Sequence, residues 1–163
     1  MDGTIPVGIS DYKTSRSPDT LVTYALGSCV GISLYDPRTK IGGLSHIMLP
    51  SSLMRNGKPI DDRMKYADTA IEDMFREMLL LGARRDTIMA KIAGGANMFH
   101  FTENSLVDTI GDRNIDAVHA ELSRLCIPLV GEDVGENYGR TVYFNLGDGK
   151  LKVQSIGKNM NEL

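Results

Sequence analysis

The 163-residue sequence contains only two cysteines, no tryptophan and no long apolar run. Two cysteines are too few for a zinc site built from clustered cysteines. No apolar run approaches the roughly 20 residues that a membrane span needs, and the acidic, polar N-terminus does not resemble a signal peptide. We therefore expect a cytosolic protein with no membrane insertion of its own, whose Cys29 and Cys126 are free thiols rather than a disulfide.

An excess of positive charge is also missing from the chain. The net charge is −3 and lysine and arginine form no cluster, which argues against nucleic-acid binding. The sequence has no internal repeats, low-complexity tracts or abrupt changes in composition. A chain of this length is large enough for a hydrophobic core, so residues 1–163 are predicted to form one domain.

Short apolar runs separated by glycine, proline and aspartate predict about eight β-strands. The predicted strands are Ile5–Thr14, Leu21–Leu26, Val30–Tyr35, Ile41–Leu49, Thr87–Ala93, Ile127–Glu132, Arg140–Leu146 and Lys150–Ile156.

Two other segments have helical periodicity. Apolar residues recur at helical spacing within Met64–Leu81, and Asp61 or Asp62 is predicted to cap this helix. A second helix is predicted with Asp112 as its cap, and Pro128 limits its length. Because strands outnumber helices, the sequence favours an α/β fold of the α+β kind, with two main helices packed against a mostly antiparallel or mixed sheet.

The stretch 21–50 holds the residues best suited to chemistry. Cys29 follows Gly27 and Ser28 in a turn at the start of a predicted strand, so its sulfur need not be buried. His46 lies in a strand that can pair with that one. An imidazole beside a thiol can take its proton and form a thiolate–imidazolium pair, which makes the sulfur a nucleophile. Amides of the same turn, at Ser28, Cys29 or Val30, can form an oxyanion hole.

Thr23, six residues before Cys29, can accept the Nδ1 proton of His46 and so orient the imidazole. Each of these residues also has a purely structural interpretation. Cys29 would be a small buried hydrophobe, His46 a core histidine bonded to a backbone carbonyl, and Thr23 an ordinary strand residue. The other candidates have weaker contexts: His100 in a loop, His119 on the polar flank of the second helix, and Cys126 packed at a helix end.

Three further motifs have structural explanations. Gly94-Gly95 lacks the Gly-Lys-Ser/Thr of a phosphate-binding loop and instead predicts that a strand end closely approaches the candidate site. Asp36-Pro37 is predicted to be a simple turn. A solvated loop is predicted for the acidic residues Glu132, Asp133 and Glu136.

Two motifs are more specific than a cysteine and a histidine alone. They are Leu26-Gly27-Ser28-Cys29-Val30, with Thr23 upstream, and His46-Ile47-Met48-Leu49-Pro50. Further matching segments are Lys65-Tyr66-Ala67-Asp68, Lys91-Ile92-Ala93-Gly94-Gly95-Ala96 and Arg113-Asn114. Together, from about Val7 to Ile156, they closely resemble the bacterial chemoreceptor glutamine deamidases called CheD.

This resemblance implies a catalytic set that falls on Cys29, His46 and Thr23, with no metal or other cofactor. It also implies hydrolysis of particular Gln side chains on methyl-accepting chemotaxis receptors to Glu. Our hypothesis for the mechanism is that Cys29 attacks as a thiolate and that ammonia departs to give a thioester on the cysteine. A regulatory CheC-type phosphatase partner and a layered α/β sandwich similar to bacterial toxin deamidases are implied as well. Two alternatives stay open: a non-catalytic binding module for CheC or receptors, and a thiol protease or acyltransferase.

Overall fold

The structure, a computed structural model, describes residues 3–98 and 109–163. In these residues it contains two five-stranded β-sheets packed face to face and two α-helices on the outer face of one sheet. The predicted layered sandwich of mixed, mostly antiparallel sheets with two main helices is confirmed. No helix in this described part of the chain is long and apolar enough to cross a membrane.

The first sheet carries the candidate orienting residue Thr23. Its strands are, in spatial order, β1 (Thr4–Pro6), β3 (Thr20–Leu26), β8 (Arg140–Asn145), β9 (Leu151–Ser155) and β10 (Asn161–Glu162). β1 runs parallel to β3, and the other neighbours are antiparallel. The pairing of β3 with β8 shifts register between Thr23 and Leu26, where Ala25 has a positive φ of 59°.

The second sheet carries His46. Its strands are, in spatial order, β2 (Asp11–Arg16), β5 (Ile41–Ile47), β4 (Val30–Asp36), β6 (Met89–Gly94) and β7 (Leu129–Val134). Only β6 and β7 are parallel neighbours in this sheet. β3 and β4 are consecutive in the chain yet lie in different sheets, so the turn at residues 27–29 carries the chain from one sheet to the other.

Two hydrophobic clusters hold the three layers together. Helices α1 (Ala67–Leu81) and α2 (Ile110–Arg124) cover the outer face of the second sheet, where Met74 and Phe75 of α1 join Ile32 in one cluster. Between the sheets, Phe144 of β8 and Leu44 of β5 join the other cluster. All residues of β4 and β5 are therefore buried, which explains why their sequences are continuous apolar runs rather than alternating ones.

Several predicted boundaries were wrong. The single predicted strand Ile5–Thr14 is two strands in different sheets, because the chain turns between β1 and β2. β10 was not predicted, nor were the short 3₁₀ helices Ser52–Arg55 and Arg85–Thr87.

The predicted helix caps were also wrong. Neither Asp61 nor Asp62 caps α1, which follows Tyr66 without any side-chain capping bond. α2 begins earlier than predicted, because Thr109 is its cap and Asp112 is the reciprocal partner in a capping box.

The turn after β4 is more than a simple turn, because the Asp36 side chain is wholly buried. Its carboxylate accepts hydrogen bonds from Arg38 N and Thr39 Oγ1 in the turn, and from Arg84 N and Thr87 Oγ1 beyond α1. Burial raises the pKa of this carboxyl, but the hydrogen bonds, with that of Thr87 the largest, outweigh it and bring the pKa to about 2. Asp36 thus joins the β4–β5 turn to the segment that leads into β6.

The protein should lose stability when Asp36 is protonated. The folded pKa lies below the ordinary value of 3.8, so the stabilising effect is present above about pH 4 and is lost as the pH falls toward 2. The shift corresponds to about 2 kcal/mol of unfolding free energy. When the pH is lowered from neutral to acid, the wild type should lose about 2 kcal/mol more unfolding free energy than Asp36→Asn does. Urea unfolding of both proteins at the two pH values measures this difference. Equal acid losses in both proteins would contradict this role, and exposed Asp86→Asn serves as the control.

Candidate active site

Thr23 and His46 meet between the two sheets. Thr23 projects from β3 and His46 from β5, and both side chains are completely buried. The Oγ1 atom of Thr23 lies 2.7 Å from Nδ1 of His46 and 2.7 Å from the carbonyl oxygen of Val7. The predicted contact between Thr23 and His46 is therefore present.

This pair of contacts determines which nitrogen of His46 carries a proton. A carbonyl oxygen can only accept, so the hydroxyl of Thr23 donates to Val7. Having used its one proton, the hydroxyl accepts from Nδ1–H of His46. Nε2 of the neutral ring then has a free lone pair, and it has no hydrogen-bond partner among the described residues. Nε2 is therefore the nitrogen of His46 that can accept a proton.

His46 is uncharged at neutral pH. Burial disfavours the imidazolium and lowers the pKa of His46 from 6.5 to about 4. Thr23 supplies no negative charge to oppose this effect, unlike the aspartate of a serine protease triad.

Cys29 lies diagonally opposite His46 on the same face of the second sheet. The ladder between β4 and β5 ends at the pair Val30–Ile47, and Gly31 stands directly opposite His46. Cys29 is two residues from Gly31, so it shares the face of His46 and packs on the cluster between the sheets. Gly31 has no side chain to separate them. The predicted approach of Cys29 and His46 across neighbouring strands therefore agrees with the register.

The two groups rest as a neutral thiol and a neutral imidazole. No hydrogen bond joins Sγ of Cys29 to Nε2 of His46 in the described structure. Burial raises the pKa of the Cys29 thiol, and its own backbone N–H only partly offsets this. The expected thiolate–imidazolium pair is therefore not the resting form.

Two carbonyls of the turn before β4 accept hydrogen bonds from the segment that follows β6. Ala96 N donates to the carbonyl of Gly27, and Gly95 N donates to that of Cys29, both at 2.8 Å. The amides of Ser28 and Cys29 make no hydrogen bond to another described residue. Of the three predicted oxyanion donors, the Ser28 and Cys29 amides are therefore unpaired within the described part of the chain, whereas Val30 belongs to β4 and pairs with Ile47 and Gly94.

The glycine pair at the end of β6 allows this close packing. Gly94 has φ +112°, and a Cβ there would collide with the carbonyl oxygen of Cys29. Gly95 has φ +67°, and a Cβ there would collide with Ile115 of α2. The predicted close approach of this strand end to the Cys29 turn is confirmed.

Comparisons with known proteins identify the family of this chain. A family model described as "CheD chemotactic sensory transduction" matches residues 48–155. A protein of Lachnoclostridium phytofermentans named "Probable chemoreceptor glutamine deamidase CheD" is 43% identical over 164 residues, which cover both chains completely. A protein with the same name from Desulfitobacterium hafniense is 47% identical over 96% of each chain. Another from Clostridium botulinum is 46% identical over 98% of this chain and 97% of its own length. The chain belongs to the CheD family.

Sequence reasoning did not assign a role to one buried residue of this CheD protein. Asn114 of α2 is completely buried, and its Nδ2 atom donates to the carbonyls of Ser28 and Met48, at 2.9 and 3.0 Å. A signal was present, because Asn114 precedes Val118 and Leu122 at intervals of four in the apolar stripe of the helix. A polar residue in such a stripe indicates a specific buried partner.

Two of the remaining candidates, His119 and Cys126, lie in the described part of the chain. His119 is partly exposed and its Nε2 lies 2.8 Å from Glu132 of β7. Cys126 was predicted to be packed, but it is exposed just beyond α2. His100, and the predicted loop around it, lie outside the described residues.

Of the three acidic residues predicted to lie in a solvated loop, only Glu136 does: it is exposed in a bend beyond the end of β7. Glu132 and Asp133 belong to β7, and Asp133 pairs with the buried Arg140 at 3.1 Å. Arg140 also donates to the carbonyl oxygens of Gly94 and Gly135, so this pair supports the backbone beside the Cys29 turn. For Glu132 and Asp133 the prediction was wrong, because their charges gave no indication of a strand that pairs in parallel with β6.

A cleft of about 320 Å³ opens beside the β3 bulge in this CheD chain. Ala25, Arg140 and Gln154 line part of it, and neither Cys29 nor His46 does. Within residues 3–98 and 109–163, no group of three or more His, Cys, Asp and Glu side chains could hold a metal ion.

Proposed function

We propose that the chain is a protein-glutamine deamidase that hydrolyses side-chain amides of chemotaxis receptors to Glu and ammonia. The relatives named "Probable chemoreceptor glutamine deamidase CheD" support the substrate class. The observation that carries the chemistry is the chain of contacts from Val7 through Thr23 to His46, which leaves Nε2 unprotonated next to the strand of Cys29. Catalytic roles for Cys29, His46 and Thr23 are part of this proposal.

Attack on the amide begins from the neutral pair. Nε2 of His46 takes the thiol proton while Sγ of Cys29 bonds to Cδ of the Gln side chain. The carbonyl oxygen becomes an oxyanion held by the amides of Ser28 and Cys29. His46 then gives its proton to the departing nitrogen, the C–N bond breaks, and ammonia leaves a thioester on Cys29.

Hydrolysis of the thioester uses the same groups. Nε2 of His46 deprotonates a water molecule, which attacks the thioester carbon. The C–S bond breaks, the sulfur recovers the proton from His46, and the product is a Glu side chain. No step of this cycle requires a metal or an organic cofactor.

Mass spectrometry of a purified receptor tests this proposal. Incubation with the protein should convert particular Gln residues to Glu, seen as the small mass increase from replacing NH₂ by OH. A parallel sample without the protein measures spontaneous deamidation. Receptor peptides cleaved along the backbone would instead indicate a protease, and unchanged receptor would contradict catalysis on this substrate.

A non-catalytic binding module is the second candidate. The missing hydrogen bond between Cys29 and His46 and the raised thiol pKa favour it, because the site is not activated at rest. In that case the protein would bind receptor or a CheC-type phosphatase in a pull-down assay and leave every Gln unchanged. The CheC-type partner stays a prediction, which the same pull-down with purified CheC tests.

A further inference from the structure

The peptide bond between Ser28 and Cys29 is held from one side by Asn114. The two hydrogens on Nδ2 of Asn114 reach two different carbonyls, that of Ser28 at 2.9 Å and that of Met48 at 3.0 Å. Both partners can only accept, so the NH₂ group of the carboxamide must face them. Asn114 thereby joins Ser28, the residue before Cys29, to Met48, which lies just beyond the strand of His46.

The position of this contact in the sheet explains its importance. The last ladder pair between β4 and β5 is Val30–Ile47, so the next pair outward would be Cys29–Met48. At this position the carboxamide of Asn114 bridges the segment that precedes β4 and the segment that follows β5. It keeps them in register beyond the last backbone rung and leaves the Cys29 amide unused.

The contact also sets the direction of that amide. Ser28–Cys29 is a trans peptide, in which C=O and N–H point in opposite directions. Because the Ser28 carbonyl is directed at Asn114 inside the protein, the N–H of Cys29 points the other way. That N–H lies close enough to its own sulfur to act on the thiol, and it bonds to no other described residue.

We infer that Asn114 is a positioning residue that fixes the Ser28–Cys29 peptide so that the Cys29 N–H faces the oxyanion formed during attack. This inference rests on the proposed thiol chemistry at Cys29, not on the identity of the receptor. Asn114 itself touches no reacting atom. Its Oδ1 atom is buried and has no hydrogen-bond partner among the described residues. The hydrogen bonds of the carboxamide are therefore those that its NH₂ group donates to Ser28 and Met48.

Two reactions of Cys29 separate this role from a general structural one. With p-nitrophenyl acetate, Sγ attacks the ester carbonyl through an oxyanion, expels p-nitrophenolate and becomes a thioester. With iodoacetamide, Sγ displaces iodide and forms a C–S bond without any oxyanion. Exposed Cys126 would react with both reagents, so every variant is made in a Cys126→Ser background.

Asn114→Leu should reduce acylation by the ester about 10²-fold, the usual loss when one oxyanion donor is removed. Alkylation by iodoacetamide should keep its rate and its pH profile. Asn114→Ala, which leaves room for water, is made in parallel in case leucine disturbs folding, and thermal unfolding reports the fold of each variant. Ser33→Ala is the matched control, because it removes another side-chain bond to a backbone carbonyl in the same sheet, at Lys91.

Parallel loss of acylation and alkylation would overturn the inference, because Asn114 would then act on the thiol or the fold as a whole. Unchanged acylation would overturn it as well. If ester acylation depends on Asn114 but receptor Gln is never converted, the inference stands and the proposed substrate is wrong.

Discussion

Receptor Gln conversion should fall by roughly 10⁶-fold in Cys29→Ala, the order of loss measured when a serine protease loses its nucleophile. Without Sγ no thioester can form, and the remaining amides can only bind the substrate carbonyl. The protein should keep its fold, because Cys29 is only partly buried at a turn. Mass spectrometry of receptor at several incubation times measures the rate.

The other cysteine offers a matched control. Cys126→Ser removes an exposed thiol beyond α2 and should leave the conversion rate unchanged. Cys29→Ser separates nucleophile chemistry from shape, because a neutral imidazole must then remove a proton from a far less acidic hydroxyl. Conversion by Cys29→Ala at the wild-type rate would falsify the assignment of Cys29.

Much of the fold followed from local patterns, but the division of strands between sheets did not. The apolar runs of β3, β4 and β5 were located within two residues at each end. Their sheet membership depends on distant partners, since β3 pairs with β8 more than 110 residues later. Weak alternation in Ile5–Thr14 likewise gave no sign that the chain changes sheets there.

The sequence predicted which residues form the candidate site but not their protonation states. The turn at Cys29 and the strand of His46 were evident in the sequence, and the register puts both on one face. The sequence could not show that His46 is completely buried, and burial is what makes the resting pair neutral. Nor could it place the carbonyl of Val7, which decides the tautomer through Thr23.

The loss of His46 should be the second most damaging change. His46→Ala removes the group that accepts the thiol proton and later protonates ammonia, so conversion should fall by about 10²–10⁴-fold. Thr23 keeps its bond to Val7 in this variant, so the strand should stay in place. Conversion rates from mass spectrometry, with thermal unfolding as the check on folding, measure the effect.

The pH profile identifies the state in which His46 works. Its pKa of about 4 lies below the ordinary 6.5, so the base is lost only as the pH falls through about 4. The acid limb of the kcat/KM profile should therefore lie near pH 4. The rate at which iodoacetamide alkylates Cys29 should keep rising with pH to above 9, because burial raises the pKa of the thiol. A flat alkylation rate across neutral pH would show a thiolate–imidazolium pair instead.

Thr23 variants connect this profile to the tautomer. Thr23→Val keeps the shape but removes the hydroxyl that accepts from Nδ1–H, so the proton can move to Nε2 and block the base. A large but incomplete loss of kcat is expected, because a fraction of the rings keeps the productive tautomer. Thr23→Ser retains the hydroxyl and should restore most of the activity. If valine and serine variants are equally active, the hydroxyl has no orienting role, and the neutral imidazole must be held by its packing alone.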